Sequence, residues 1–294
     1  MVSKLEVIGS RITNRMLGRN KDYGGILTEV TGAQGSSKTG ALLSFSTHTM
    51  RLHPKEKIFW REQYDAPLQI FKLGNGNFHF LVQKESKVVF RDRDNRLKHI
   101  KLPNVSYFES IPVYKEGLDK DGKKILDHTK PDFDDLWKKA IPGKVNVVFF
   151  GNPNEWMDFI HRLRNVGEWT NVFIDEMADI CPAVNSDSLY KRIRDFAGDL
   201  GAVRRCMINV MYNTQTAQDV DWKIRKKVML KIFLPGAITD TASRVTQRAI
   251  DNLKRDSIHG NEAYLDMGGE FGKIQFTNIF RPNPKYHIEA HVDV

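Results

Sequence analysis

The sequence predicts an α/β fold, a mostly parallel sheet flanked by helices, and three observations predict it. Short apolar runs alternate with stretches of helical periodicity along most of the chain. A glycine- and serine-rich loop separates the first such run from the first helix. A later apolar run ends abruptly in two adjacent acids.

Ile26–Val30 reads as a short strand, Gly32–Ser37 as the loop, and Thr39–Met50 as a helix rich in small and apolar residues. Lys57–Trp60 is a second strand. From residue 73 to 144 the texture changes to alternating segments such as FHFLVQ and KVVFRDR, with hairpin-turn chemistry at Gly74–Asn77 and at Asp119–Gly122. This stretch is expected to be a β-rich insertion between an N-terminal part of the core (1–72) and its remainder (145–294). The Asp119–Gly122 run is a turn rather than a calcium loop, because the position two before it is Gly117 and not an acid. From Val145 the rhythm returns: strand VNVVFF, helix Asn154–Val166, strand NVFID, helix Leu189–Arg205, strand INVMYN, helix Ala217–Val228 and strand MLKIFL. A helix over Thr241–Arg255, a C-terminal hairpin turning at Gly268 and Gly269, and an extended tail complete the expectation.

At 294 residues the chain can bury a sizeable core without disulfides. Its two cysteines, Cys181 and Cys206, lack metal-ligand spacing and suit a reducing compartment, the cytoplasm by default. The first twenty or so residues carry charges throughout, so neither a signal peptide nor a transmembrane segment is expected there or later. A formal net charge of +9 suits a polyanionic partner, or simply a soluble surface.

The loop GAQGSSKT carries the first chemistry. Binding a chain of phosphates needs inward-pointing amides, a lysine for the terminal phosphates and a hydroxyl for Mg2+. Gly32, Ala33, Gln34, Gly35, Ser36, Ser37, Lys38, Thr39 and Gly40 supply such a cradle, with Lys38 and Thr39 at the two decisive positions. Ser37 stands where the pattern G-x-x-x-x-G-K-[ST] has its second glycine, which is tolerable if its φ is negative and Gly35 takes the strain. The second chemistry is NVFIDE. Its apolar run puts Asp175 at the C-terminal tip of a buried strand, where it can organise Mg2+ through water, and Glu176 beside it can polarise an attacking water. Asn213 and Gln215, at the end of INVMYNTQ, are placed to hydrogen-bond a γ-phosphate or that water. Arg204 and Arg205 precede the same strand, and an arginine inserted from a neighbouring subunit is worth roughly 10³ to 10⁵ in rate.

Together GAQGSSKT, NVFIDE, Arg204–Arg205 and NTQTAQDVDWKIRKKV resemble the FtsK/HerA superfamily of P-loop motor ATPases, over about residues 26–72 and 145–237. The resemblance implies a RecA-like P-loop NTPase core that binds ATP and Mg2+. It implies phosphate and Mg2+ contacts from Lys38 and Thr39, a second Mg2+-organising acid in Asp175, a catalytic base in Glu176 and a γ-phosphate sensor in Gln215. Arg204 or Arg205 would be the finger in trans, within a hexameric homo-oligomer that translocates double-stranded DNA. Lys223, Arg225, Lys226 and Lys227 would track the DNA backbone, and Arg91, Arg93, Arg96 and Lys98 form a further basic group open to either DNA contact or solvation. A capsid or membrane-complex partner would suit the viral members. An assembly or secretion ATPase whose cargo is not DNA, and a small-molecule kinase, are the competing readings.

Overall fold

A computed structural model describes residues 6–7, 24–61, 77–92, 94, 96–99, 102, 104–118, 120–183, 186–239, 243–253, 261–267, 271–276 and 288–293. Its strands in chain order are β1 (Glu6–Val7), β2 (Leu27–Thr31), β3 (Lys57–Arg61), β4 (Phe78–Gln83), β5 (Lys87–Asp92), β6 (Leu97–Lys98), β7 (Val105–Phe108) and β8 (Ser110–Leu118). They continue as β9 (Lys124–Pro131), β10 (Val145–Phe149), β11 (Thr170–Ile174), β12 (Ile208–Thr214), β13 (Leu230–Phe233), β14 (Asn261–Asp266), β15 (Phe271–Phe276) and β16 (Ile288–Asp293). The helices are α1 (Lys38–Leu52), α2 (Phe133–Lys139), α3 (Glu155–Leu163), α4 (Asp187–Ala202), α5 (Trp222–Arg225) and α6 (Gln247–Asp251).

An 11-stranded sheet runs β1-β15-β14-β13-β2-β12-β11-β3-β10-β4-β7. The segment from β13 to β7 is parallel throughout, and β14 and β15 form the expected hairpin, antiparallel to β13 and to each other. This is the α/β, RecA-like arrangement expected from the sequence: β2 carries the glycine-rich loop, and β12 separates it from β11, which carries the acids. Both faces of these strands are covered, which is why they read as continuous apolar runs rather than alternating ones. Alternation still sorts the side chains: Ile58 and Trp60 of β3 pack on the α1 side with Phe45 and Phe173. Phe59 points the other way, into α3 and α4, against Phe159, Phe196 and Val172.

A row of buried side-chain amides at the amino ends of β10, β11 and β12 donates across the sheet. Asn209 donates to Asn171 (2.8 Å), Asn171 to Glu56 (2.8 Å) and Asn146 to the carbonyl of Ile58 (3.0 Å). Each amide is costly to bury unpaired, so the row favours this strand register over its neighbours. The hydroxyls of Ser46 and Thr49 inside α1 are satisfied by the helix's own carbonyls of Leu43 (3.0 Å) and Phe45 (2.8 Å), which lets α1 lie buried on the sheet.

Several expectations are corrected. The stretch over 73–144 is rich in strands, but β4 and β7 join the central sheet beside β10, β5 pairs on one side with β6 and on the other with the tail strand β16, and β8 and β9 form a separate, exposed hairpin. It also contains α2, started by Asp132, whose carboxylate accepts from the amides of Asp134 and Asp135. The hairpin turns through Gly122 at φ 73°. Of Gly74–Asn77 only Asn77, and of the C-terminal turn neither Gly268 nor Gly269, lies among the described residues. The expected helix Ala217–Val228 is broken. Asp219 closes a 3-10 turn on the amide of Thr216, Val220 is extended, and Asp221 caps the short α5 through the amide of Lys223. Aspartates compete for backbone amides in this way, which outweighs the helical pattern. Of the expected helix Thr241–Arg255, residues 243–246 are not helical and Gln247–Asp251 form α6, capped by Thr246, while 241, 242, 254 and 255 lie outside the described residues. Among the described residues no helix is long and apolar enough to cross a membrane.

Phe159 is fully buried and meets Phe59 edge-on at 4.9 Å. Phe159→Ala is expected to lower the unfolding free energy by about 3–5 kcal/mol. Tyr114→Ala on the exposed β8 should change it by less than about 0.5 kcal/mol. Urea titrations followed by circular dichroism check both.

Candidate active site at the strand tips

The loop after β2 folds tightly on itself. The amide of Ser36 donates to the carbonyl of Ala33 (3.1 Å), and the amide of Ala33 donates to the carbonyl of Pro235 beyond β13 (3.2 Å). A Cβ on Gly32 would sit 2.4 Å from Ser36 Oγ and 2.8 Å from Leu234 Cβ, so glycine is required there. Gly35 and Gln34 form the exposed crest, and Gly40 is buried in the first turn of α1. Gly35 has φ 73° and Ser37 φ 67°, ψ 38°. The condition under which a serine would be tolerated there, a negative φ, is not met: both residues are left-handed. For a residue with a Cβ that conformation costs about 1–2 kcal/mol.

Lys38 arches over the loop and donates to the carbonyls of Gly32 (3.0 Å) and Ala33 (3.3 Å). Burial pulls its pKa below the ordinary lysine value, opposed by the carboxylates of Glu176, Asp175 and Asp219. The hydroxyl of Thr39 donates to Asp175 Oδ1 at 3.0 Å. Asn213 donates to the same oxygen, and its own carbonyl accepts the amide of Glu176 at 2.8 Å. Asn213 thus positions the acid pair, where the sequence suggested contact with phosphate or water. Burial raises the pKa of Asp175, and the hydrogen bonds from Asn213 and Thr39 oppose that shift.

Glu176 lies just past β11 in a left-handed conformation, φ 55°, ψ 84°, with 9% of its surface exposed. Burial pushes its carboxyl up to about 7; a hydrogen bond with Thr214 and the charge of Lys38 oppose the shift, while Asp175 and Asp179 add to it. A carboxyl titrating there is poised to exchange a proton near neutral pH.

Arg61, at the tip of β3, was missed by the sequence reading. Its guanidinium donates to the carbonyls of Asp175 and Glu176 and to the carboxylate of Asp179. The available signal was a single cation closing the buried run KIFWR.

The remaining candidates fall in different places. Gln215 is exposed directly after β12, whose Thr214 pairs with Thr31 at the base of the loop. Arg204 and Arg205 are exposed at the opposite, amino end of β12, about 20 Å away along a strand rising about 3.3 Å per residue. Lys223 is drawn inward, 3.3 Å from Asp221 and 3.7 Å above the Tyr190 ring. Arg225 is half-buried, whereas Lys226 and Lys227 are exposed. Arg91 is half-buried and Arg96 exposed; Arg93 and the side chain of Lys98 lie outside the described residues.

The residues fit a nucleoside triphosphate with Mg2+. Ser36 Oγ is buried without a hydrogen-bond partner inside the loop. The loop runs directly into the amino end of α1 at Lys38, where the first-turn amides have no partner within the helix. Thr39 and Asp175 offer the hydroxyl and single carboxylate that a largely hydrated Mg2+ uses, and no group of three or more acidic, histidine or cysteine ligands exists among the described residues.

Ser37→Gly is expected to stabilise the chain by about 1 kcal/mol, since glycine adopts φ 67° without penalty. A thermal melt that rises by a few degrees checks it; an unchanged or lower melting temperature would show that Ser37 is not strained.

No family model matches the chain, and no curated protein matches it. Solved structures do. The genome packaging NTPase B204 from Sulfolobus turreted icosahedral virus 2, in complex with ATP-gammaS, is 10% identical at TM-score 0.45, covering 86% of this chain and 98% of that one. The N-terminal domain of zonular occludens toxin from Neisseria meningitidis is 13% identical at TM-score 0.36, covering 92% and 94%. The pCW3 conjugation coupling protein TcpA, in its monomer form with ATPgS, is 13% identical at TM-score 0.40, covering 95% and 71%.

Proposed function

We propose that the chain is an ATPase that moves double-stranded DNA. The observation that carries the hydrolytic part is the meeting of Lys38, Thr39, Asp175 and Glu176 from two strand tips that β12 holds apart. Mg2+ bound with ATP would neutralise charge on the transferred phosphate and order its oxygens. The loop amides and Lys38 hold the phosphates in place. Thr39 and Asp175 hold the ion's shell. Glu176, with its carboxyl near neutrality and its backbone fixed by Asn213, takes the proton of the attacking water. A carboxylate placed to accept a proton from water suits hydrolysis better than transfer to a substrate hydroxyl, and Gln215, exposed after β12, is open to a γ-phosphate.

The DNA part rests on the net charge of +9 and on the exposed cations Lys226 and Lys227, which can meet phosphates without reading bases. Arg204 and Arg205 lie too far from their own loop to serve it, so on this reading they complete the site of a neighbouring copy in a ring.

The test is ATP hydrolysis by the full chain at low salt, with and without double-stranded DNA. Glu176→Gln is expected to retain ATP binding and to lose at least about 10²-fold in kcat. Wild-type kcat/KM should rise roughly tenfold from pH 6 to pH 8, since the base form appears as Glu176 of the free protein ionises near 7. Because its folded pKa exceeds its unfolded value, the charged side chain opposes folding as pH climbs from about 4.5 towards 7. Glu176→Gln should therefore raise the melting temperature at pH 8 and have little effect at pH 4. Hydrolysis indifferent to DNA would remove the translocase reading and favour an assembly ATPase.

A further inference from the structure

Arg61 pairs with Ile174 as the last parallel rung between β3 and β11, and its carbonyl accepts the amide of Asp175 at 3.2 Å. Its side chain then turns back over the next two peptides. One guanidinium nitrogen reaches the carbonyl of Asp175 and, at 3.0 Å, that of Glu176; the other reaches Asp179 at 2.9 Å. The side chain is only 5% exposed, whereas that of Asp179 is 35% exposed. A guanidinium buried this deeply is held by its partners, and here those partners are the backbone of the acid pair and the 3-10 turn Met177–Asp179 that follows it.

That backbone needs holding. Glu176 has φ 55°, a conformation that costs a residue with a Cβ about 1–3 kcal/mol and persists only where the surroundings impose it. Its two adjacent carbonyls converge on one guanidinium nitrogen while the second nitrogen reaches the Asp179 carboxylate, a span that the planar fork covers and a single ammonium nitrogen does not. On the other side the amide of Glu176 is taken by Asn213 of β12. The peptide carrying Glu176 is therefore gripped by both strands flanking β11, at its N–H from β12 and at its C=O from β3.

We propose that Arg61 is the positioning residue of the hydrolytic centre, its guanidinium holding the left-handed turn at Glu176 so that the carboxyl faces the Thr39–Asp175 pair. Its donors are committed to the carbonyls of Asp175 and Glu176 and to Asp179, and it acts through the acid pair. The role rests on the reading of Glu176 as the base. Asp179 serves as the outer anchor, drawing the guanidinium across the turn from the solvent side.

The experiment compares full-length wild type, Arg61→Gln, Arg61→Lys and Asp179→Asn by steady-state ATP hydrolysis and by amide hydrogen exchange with ATPγS and Mg2+. For Arg61→Gln a fall in kcat of about 10²-fold is expected, with KM within about threefold, because misplacement of a catalytic group by an ångström costs that much. Exchange over residues 175–181 should quicken at least about tenfold while β11 and α1 keep wild-type protection. Arg61→Lys should recover only part of the loss, and Asp179→Asn, which spares the buried guanidinium should Arg61→Gln fail to fold, should show a smaller loss of the same kind. Wild-type kcat in Arg61→Gln, or unchanged exchange in the turn, overturns the proposal. Uniformly faster exchange across the whole sheet in both Arg61→Gln and Asp179→Asn overturns it as well, since it marks a merely structural role. A wild-type chain that binds ATPγS without hydrolysing ATP overturns the base reading, and the positioning role with it, from the wild type alone. Failure confined to the variants overturns only Arg61.

Discussion

The hydrogen bond from Thr39 to Asp175 spans 136 residues of sequence and joins the first turn of α1 to the tip of β11 across the intervening β12. It can form only if β2, β12 and β11 end level, and the parallel register does that: Thr31 pairs with Thr214, and Ile174 with Tyr212. Parallel strands with helices on both faces place all their carboxyl ends on one edge, so the loop, the acids and the polar end of β12 converge without further devices. The amide row through Asn146, Asn171 and Asn209 secures the same register from the other end.

Charge is concentrated where the sheet is least able to solvate it. Asp175 and Glu176 are almost wholly buried, and burial raises both their pKa values. Two cations answer them from opposite sides, Lys38 from the loop and Arg61 from β3. Their tasks differ in kind. Lys38 rests on loop carbonyls and can exchange them for phosphate oxygens, whereas Arg61 is committed to backbone carbonyls and to Asp179. Ser37 and Glu176, both non-glycine residues in left-handed backbone, lie one on each side of the Thr39–Asp175 contact. Strain of this type gathers where function fixes a side chain that the chain would otherwise relax.

The α/β rhythm and the two chemical motifs were legible because each depends on residues adjacent in sequence. An apolar run long enough for a strand followed by Gly-rich or acidic residues leaves little freedom of interpretation. What was not legible depends on contacts distant in sequence. Nothing local distinguishes Arg61 from a surface cation at a strand end; only the neighbouring β11 gives it carbonyls to bind. Asn213 looked like a ligand-facing amide, but β11 spends it on Asp175 and Glu176. The left-handed φ of Ser37 follows from loop closure around Gly32 and Ser36 rather than from any preference of serine. The broken helix after residue 217 shows two capping aspartates, Asp219 and Asp221, prevailing over a basic amphipathic pattern. The strand β4 read as part of an insertion since its parallel partner β10 lies far from it in sequence, and β7 joins the sheet through β4.

The central claim is that one edge of the sheet forms a Mg2+-dependent triphosphate site with Lys38 as its cation. Isothermal titration of the full chain with ATPγS, with and without Mg2+, tests it most directly when repeated on Lys38→Ala. The predicted result is saturable binding to the wild type that weakens without Mg2+ and a loss of at least about tenfold in affinity on removal of the ammonium. Equal binding by wild type and Lys38→Ala, or no binding of ATPγS by the wild type, would contradict it.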